Sequence, residues 1–245
     1  MEILEMGKED LLRLNPKDIC RVLTTEEIVH IAKKLDAFWS YDYVVAKTLP
    51  GYHARLKSGR HSDGFFISKI LLQNENILQI MAEQLAIHFH KRSLPKPDKI
   101  VGIPDGATEL GKMVGKILNI PVVKMVKQNG KISLLTKMQN GESLLFVEDF
   151  CTRGTGFIEA VSDSLNQYPG IKILPYELVI LNRGGLQEIE VPGIGYFTVA
   201  AAAEHRINDW EPDECPPCQQ FGSKDIKPKE SDENWRLITT AQIAV

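Results

Sequence analysis

The stretch "SLLFVEDFCTRGTGFIEA", residues 143–160, changes character twice along its length. It opens with an apolar run, continues with two adjacent carboxylates, Glu148 and Asp149, and then becomes rich in glycine and hydroxyl side chains. An apolar run followed by a glycine-containing turn and a periodic segment predicts a buried strand, a loop and a helix. Neighbouring carboxylates repel each other. Their place at the end of the strand therefore indicates that a ligand binds there.

Composition sets the broad class of the protein. The chain has 245 residues, 43% of them hydrophobic, which is enough for one substantial core. The net charge is -3 and charges of both signs are mixed, so no nucleic-acid partner is predicted. No stretch approaches the roughly 20 apolar residues of a membrane span, and the charged N-terminus argues against a secretory signal. Four cysteines are too few for a disulfide framework, so a cytoplasmic protein without membrane contact is predicted.

Hydrophobic periodicity predicts a mixed α/β fold. Residues 24–39, "TTEEIVHIAKKLDAFW", have the pattern of an amphipathic helix, and Thr24 and Glu27 have the spacing of a capping box. A second helix follows Asn74, which is expected to cap it. Further along, short apolar strands alternate with helices, and this alternation is typical of a mainly parallel sheet flanked by helices.

The stretch at 143–160 has the features of a sugar-phosphate site. Ligands of open parallel sheets bind beyond the carboxyl ends of the strands, and helix N-termini attract phosphate. Thr152 and Thr155 add hydroxyl donors, while Gly154 and Gly156 allow the backbone to approach a ligand closely. The paired carboxylates are suited to accept hydrogen bonds from sugar hydroxyls. A ribose 5-phosphate would match both halves of the stretch.

Two other interpretations have less support in the sequence. "GATELGK", residues 106–112, has the spacing of a P-loop, but Met113 stands where that motif needs Ser or Thr for the metal. An ordinary strand, turn and helix with solvated acids is the second alternative. It leaves unexplained why acids, hydroxyls and glycines all fall where one ligand would need them.

Several segments together resemble one enzyme family. "LLFVEDFCTRGTG" is similar to the phosphoribosyl-pyrophosphate (PRPP) motif of type I phosphoribosyltransferases. Other segments resemble the orotate branch of that family: "LKSGRHSDGFF" (56–66), "VGIPDGATELG" (101–111), "QNGKISLLTKMQNGESLLFVED" (128–149), "ILNRGG" (180–185) and "CPPCQQFGSKDIKPK" (215–229).

The resemblance implies a fold, an activity and partners. It implies a mainly parallel α/β sheet flanked by helices, with an N-terminal hood (1–60), a phosphoribosyltransferase core (61–210) and a C-terminal tail (211–245). The implied activity is that of a glycosyltransferase, which moves the phosphoribosyl group of PRPP to orotate and forms orotidine 5-phosphate and pyrophosphate. Mg²⁺ is expected with PRPP, and a homodimer is expected. A PRPP-binding regulator without transfer activity and a transferase for another base stay open.

The resemblance also assigns roles to residues. The catalytic residues are expected to be Glu148, Asp149 and Lys127. PRPP is expected to contact Lys57, Lys124, Lys131, Glu148, Asp149, Phe150, Cys151, Thr152, Arg153, Gly154, Thr155 and Gly156. Orotate is expected to contact Arg183, Thr152, Phe65 and Phe66. Lys124, Lys127 and Lys131 lie in a segment that resembles a mobile loop reaching the neighbouring subunit, but residues 124–138 contain no Arg or His.

A lone C-x-x-C, Cys215 to Cys218, lies in the tail. A structural zinc site needs two more ligands. His205 is the nearest candidate along the chain, and pairing across a dimer is an alternative. A plain Pro-rich turn is the simpler interpretation. His53 and His61 are expected either to contact a ligand or to be exposed.

Overall fold

The structure is a computed structural model, and it describes residues 2–243. The helices, in chain order, are α1 (Lys8–Leu12), α2 (Thr25–Lys34), α3 (Ser68–Leu71), α4 (Glu75–Lys91), α5 (Thr108–Leu118), α6 (Thr155–Gln167), α7 (Pro216–Phe221) and α8 (Asp232–Thr240). The strands are β1 (Phe38–Ser40), β2 (Tyr52–Arg55), β3 (His61–Ser62), β4 (Gly64–Phe66), β5 (Lys99–Gly102), β6 (Met125–Gln128), β7 (Lys131–Leu134), β8 (Ser143–Cys151), β9 (Lys172–Asn182), β10 (Glu188–Val191), β11 (Gly195–Glu204), β12 (Asp209–Trp210) and β13 (Lys224–Ile226).

The described chain divides into two compact units. The sheet unit comprises residues up to His30 together with Ser68–Arg206, and the tail unit comprises Ile31–Ile67 together with the residues from Ile207 onward. This division differs from the three consecutive segments expected from the sequence, because residues 31–67 and the tail form one unit. Among the described residues, no helix has the length and apolar character needed to cross a bilayer.

The sheet unit is built on a five-stranded sheet with the order β10–β11–β9–β8–β5. The neighbouring pairs among β11, β9, β8 and β5 are parallel, and β10 joins the edge antiparallel to β11. The expected mainly parallel α/β sheet is therefore confirmed. Because β5, β8 and β9 are parallel, their carboxyl ends lie at the same edge of the sheet.

Strand β8 alternates between two buried faces. Leu144 and Phe146 lie in the same buried cluster as Phe157 of α6, and the Phe146 and Phe157 rings meet edge to face with centroids 5.6 Å apart. Side chains of a strand alternate between its faces, so Leu145 and Val147 lie on the opposite face and are also fully buried. A strand buried on both faces explains the continuous apolar run that precedes the two carboxylates.

Residues 125–134 form a two-stranded antiparallel hairpin, β6 and β7. Its turn residues, Asn129 and Gly130, have φ values of 51° and 80°, which suits the Asn-Gly turn that such hairpins favour. The backbone N–H of Ile132 donates to the Glu159 carboxylate of α6 at 2.7 Å, and that of Leu134 donates to Asp163 at 2.9 Å. The hairpin is thus fastened to α6 through β7.

Both predicted helix caps are present. The Asn74 side chain accepts from the N–H of Ile77 at 3.1 Å, and the capping box of Thr24 and Glu27 is closed in both directions. The prediction that the helix after Thr24 runs to residue 39 was wrong, since α2 ends at Lys34. Asp36 adopts a φ of 57°, which a right-handed helix does not allow, and the chain continues into β1.

The tail unit contains a four-stranded sheet with the order β12–β3–β2–β13. The polar, Pro-rich segment after Trp210 was expected to be a tail outside the core. It instead forms α7, β13 and α8, and the Trp235 indole of α8 donates to the Asp36 carbonyl at 2.9 Å. The two prolines of the C-x-x-C segment occupy the first turn of α7, where a missing N–H costs no helical hydrogen bond.

Candidate functional site

The two adjacent carboxylates near the end of β8 project to opposite sides of the sheet, because side chains alternate along a strand. Each lies against a glycine. A Cβ at Gly106 would come within 2.0 Å of the Asp149 Oδ2, and a Cβ at Gly156 would come within 2.7 Å of the Glu148 Oε1. The turn after β5 and the first turn of α6 thus hold the two carboxylates from either side.

The loop after β8 presents unsatisfied donors. Gly154, with a φ of 66°, precedes α6, and no side chain caps that helix. The first N–H groups of α6 have no acceptor within the helix and attract anions. The Thr152 hydroxyl is buried and has no hydrogen-bond partner among the described residues. A Cβ at Gly184 would lie 1.8 Å from the Thr152 carbonyl oxygen, so only glycine permits this close approach of the loop to the end of β9.

Arg183 lies with the same group of residues. Its backbone N–H donates to the Cys151 carbonyl at 2.7 Å, and its guanidinium lies 5.5 Å from the centroid of the Phe150 ring. Burial lowers the pKa of Arg183, while the charges of Asp149 and Glu148 oppose that shift. Its Nε is buried without a hydrogen-bond partner among the described residues. The site therefore holds a cation with an unused donor beside two carboxylates.

Glu177 is a site residue that the sequence analysis missed. It lies on β9, is fully buried, and has a carboxyl oxygen within 4.8 Å of a Glu148 carboxyl oxygen and of the Cys151 Sγ. Its carboxyl oxygens have no nitrogen or oxygen donor among the described residues. A single acid within the apolar run "LPYELVIL" was the signal that could have identified it.

The environment of this acid pair raises the pKa of both carboxyls. Burial raises the pKa of Glu148 well above its usual value, and the neighbouring Glu177 raises it further. Burial likewise raises the pKa of Glu177. Two close carboxyls of this kind titrate as a pair. Burial and Glu177 also raise the pKa of the Cys151 thiol, which suits a packed neutral thiol and not a nucleophile.

Glu177→Gln is expected to flatten the pH dependence of folding stability. Because its pKa is raised in the folded state, the folded chain binds more protons than the unfolded chain above about pH 4.3, and stability falls as the pH rises toward the folded-state pKa. One such proton changes the free energy of unfolding by at most about 1.4 kcal/mol per pH unit. Urea unfolding over this pH range measures the slope. Glu188→Gln, at an exposed position of β10, is the matched control. Equal slopes in the wild type and Glu177→Gln would contradict this account.

Comparisons with known proteins agree with this architecture. No protein-family model matches the chain. A curated protein of Caldicellulosiruptor bescii named orotate phosphoribosyltransferase is 27% identical over 178 residues, which cover 72% of this chain and 87% of that protein. One of the same name from Desulforamulus reducens is 26% identical over 208 residues, which cover 84% and 97% of the two chains. The crystal structure of orotate phosphoribosyltransferase from Aeropyrum pernix superposes with a TM-score of 0.53 at 19% identity, over 72% of this chain and 93% of that one.

The chain has the type I phosphoribosyltransferase fold. The resemblance to this family and its orotate branch, inferred from short motifs, is thereby confirmed over most of the chain. Within the phosphoribosyltransferase fold, the predicted PRPP segment forms the end of β8, the loop after it and the start of α6. The structure brings Glu148, Asp149, Thr152 and Arg183 into one group of neighbours in the sheet unit.

Three of the lysines predicted to contact PRPP or act in catalysis, Lys124, Lys127 and Lys131, lie on or beside the hairpin, and their side chains are exposed. Lys127 pairs with Ile132, whereas Lys131 pairs with Gln128. Successive cross-strand pairs project to alternate faces, so Lys127 and Lys131 lie on opposite faces of the hairpin. Lys124 precedes β6, and its backbone N–H donates to the Thr136 hydroxyl at 2.8 Å. The hairpin therefore presents its charge on two sides.

The remaining predicted residues belong to the tail unit. Lys57 is exposed on the turn between β2 and β3. Phe65 is partly buried near Trp235, whereas Phe66 is 3% exposed and stacks on Phe38 with ring centroids 3.9 Å apart. Phe66 is thus a packing residue of the tail unit, and contact of these three predicted residues with substrate stays a prediction.

Proposed function

We propose that this protein is a phosphoribosyltransferase that transfers the phosphoribosyl group of PRPP to orotate. One observation carries the proposal. The partly exposed Asp149 and Glu148 adjoin a loop with a buried, unpartnered Thr152 hydroxyl and a helix N-terminus without a side-chain cap. Carboxylates accept hydrogen bonds from ribose hydroxyls, while the loop and the helix N-terminus attract the 5-phosphate. The similarity to proteins named orotate phosphoribosyltransferase supports the assignment.

Arg183 would select the base. Orotate carries a carboxylate, and a planar guanidinium can bind a carboxylate with two parallel hydrogen bonds. The buried, unpartnered Nε of Arg183 supports this role, because an unused donor in such a place gains a partner when an anion binds. Phe150 would support the guanidinium from one side through the contact of 5.5 Å.

The chemistry would depend on position and charge. A ring nitrogen of orotate attacks C1 of PRPP, a new C–N bond forms, and the C1–O bond to pyrophosphate breaks. The sugar passes through a state that resembles an oxocarbenium ion. The carboxylates would hold the ribose hydroxyls and thereby align C1 between the two reactants. Lys127 would provide positive charge to the departing pyrophosphate.

Mg²⁺ is proposed to enter with PRPP. The partly exposed carboxylate of Asp149 is an oxygen ligand of the type that Mg²⁺ prefers, so the residues present fit this cation. When bound, Mg²⁺ would neutralise negative charge on the pyrophosphate. A homodimer is proposed as well, with the hairpin of one subunit serving the site of the other.

Binding of PRPP with Mg²⁺ tests the sugar-phosphate site separately from transfer. A ligand that binds the folded state stabilises it by RT ln(1 + [L]/Kd), about 2.7 kcal/mol at 100 times Kd. The wild type should therefore melt at a higher temperature with PRPP and Mg²⁺. Glu148→Gln combined with Asp149→Asn should lose most of that shift while retaining a cooperative melt.

The control is Glu188→Gln combined with Glu190→Gln, which changes two exposed acids of β10 and should keep the shift. An undiminished shift in the variant of Glu148 and Asp149 would remove the sugar-site assignment. A clear PRPP shift without transfer to any base would instead favour a PRPP-binding regulator.

A further inference from the structure

Two histidines and two cysteines that are far apart in the sequence meet in the tail unit. The ligand atoms of His53, His61, Cys215 and Cys218 all lie within 4.8 Å of one another. The His53 Nε2 is 2.9 Å from the His61 Nδ1, and the Cys218 Sγ is 3.3 Å from each of these nitrogens. His53 and Cys215 are fully buried, and His61 is 6% exposed. Of the two alternatives expected for these histidines, ligand contact or exposure, exposure is therefore wrong.

Strand pairing explains how this cluster forms. His53 and His61 lie on the antiparallel strands β2 and β3, where His61 pairs with Arg55, two residues beyond His53. On its other side β2 pairs with β13, which follows α7 closely in the chain. Cys215 immediately precedes α7, and Cys218 lies in its first turn. The fold thus carries both thiols to the histidines.

A hydrogen bond fixes which nitrogen of His53 faces the cluster. The His53 Nδ1 lies 3.1 Å from the Ser223 hydroxyl, which donates its own proton to the Gly51 carbonyl at 3.1 Å. The hydroxyl oxygen therefore accepts from the His53 Nδ1–H, and the lone pair of the neutral ring is on Nε2, the atom that points at the other three ligands. Histidines that bind metals are commonly oriented by such a second hydrogen bond.

The donor set and its dimensions suit one cation. In a tetrahedral zinc site, bonds of about 2.0–2.1 Å to nitrogen and about 2.3 Å to sulfur place two nitrogens roughly 3.3 Å apart, a nitrogen and a sulfur roughly 3.6 Å apart, and two sulfurs roughly 3.8 Å apart. The separations of 2.9 and 3.3 Å are within about half an ångström of those values. Two imidazoles and two thiolates select zinc over hard cations such as Mg²⁺. Four protein ligands leave no position open for a substrate, which is the pattern of a structural site.

We propose that the tail unit binds one structural Zn²⁺ through His53, His61, Cys215 and Cys218. The ion connects the β2–β3 hairpin to the start of α7. It therefore fixes residues near 215 to strands formed by residues near 53. His205, the nearest candidate along the chain, belongs to the sheet unit and is not one of the four ligands.

Metal analysis of the full-length protein, purified with a thiol reductant and without chelator, is the first test. About one Zn²⁺ per chain is expected. Cys218→Ser and His61→Ala should lose it. Cys20→Ser, at an exposed cysteine outside the cluster, and His205→Ala should keep it. Zinc that persists in Cys218→Ser and His61→Ala, or that disappears in the two controls, would overturn the ligand assignment.

Co²⁺ exchange into the wild type keeps the proposal testable if a ligand variant fails to fold. The exchanged protein should show the strong visible bands of tetrahedral Co²⁺ together with thiolate-to-cobalt charge transfer. Chelation should lower the melting temperature, and Zn²⁺ but not Mg²⁺ should restore it. A wild type that contains no zinc and takes up no Co²⁺ into a tetrahedral thiolate site would show a metal-free cluster and overturn the proposal.

Discussion

Arg183→Ala is expected to weaken binding of orotate by about 2–5 kcal/mol, the cost of leaving a buried carboxylate without its charged partner. The Michaelis constant for PRPP should change little, because the carboxylates and the loop after β8 stay in place. The loss of affinity should therefore affect orotate, the acceptor of the phosphoribosyl group, and not PRPP. The Arg183 backbone N–H donates to the Cys151 carbonyl, the guanidinium lies against the Phe150 ring, and the Nε has no hydrogen-bond partner among the described residues.

Two further variants sharpen the result for Arg183. Arg183→Lys keeps a positive charge but loses the planar fork, so it should recover only part of the affinity for orotate. Arg153→Ala, in the loop before α6, should act on PRPP instead. Steady-state kinetics with each substrate varied in turn separates the two effects. A rise in the Michaelis constant for PRPP without one for orotate in Arg183→Ala would show that Arg183 has been given the wrong role.

Lys127→Ala is expected to lower kcat and kcat/KM together by about 10²–10³-fold, the typical cost of removing one preorganised charge. PRPP affinity should change little, since the contact to departing pyrophosphate forms mainly in the transition state. Lys131→Ala is the comparison variant, because Lys131 is also expected to contact PRPP but lies on the opposite face of the same hairpin. If the two variants lowered kcat equally, the catalytic role could not be assigned to the face of the hairpin that carries Lys127.

Mixed dimers test whether the hairpin serves the neighbouring subunit. Subunits with Lys127→Ala combined with subunits carrying Asp149→Asn should regain part of the activity, because each mixed dimer would retain one intact site. Full activity after replacement of Lys124, Lys127 and Lys131 together would show that the hairpin is not the catalytic element.

Local signals in the sequence predicted local structure well. The Asn74 cap, the capping box at Thr24 and the strand, loop and helix of residues 143–160 each depend on neighbours within a few positions, and each is present. The predicted length of α2 was wrong because the helix ends where Asp36 adopts a left-handed conformation. The hydrophobic pattern continues past this residue, so it gives no sign of the end. The helices and strand of the tail were not predicted, because they are stabilised by pairing with distant strands, such as β13 with β2.

In the candidate site, too, residues marked by local sequence signals could be predicted, whereas residues brought in by strand pairing could not. The acids, the hydroxyls and Arg183 could be predicted as candidate site residues because they lie in or beside recognisable strand ends. Glu177 was missed because its importance arises from the pairing of β8 with β9, which brings it beside Glu148. His53 and His61 could not be joined to the cysteines, since 150 or more positions separate them in the chain and only the sheet of the tail unit closes that gap.

Product formation from orotate, PRPP and Mg²⁺ decides whether the protein transfers the phosphoribosyl group to orotate. The wild type is assayed spectrophotometrically for loss of orotate, beside parallel reactions with adenine, hypoxanthine and uracil. We expect orotidine 5-phosphate and pyrophosphate in equal amounts, dependence on Mg²⁺, and far slower transfer to the bases that lack a carboxylate. No transfer to orotate under conditions where PRPP raises the melting temperature, or faster transfer to one of the other bases, would show that the proposed function is wrong.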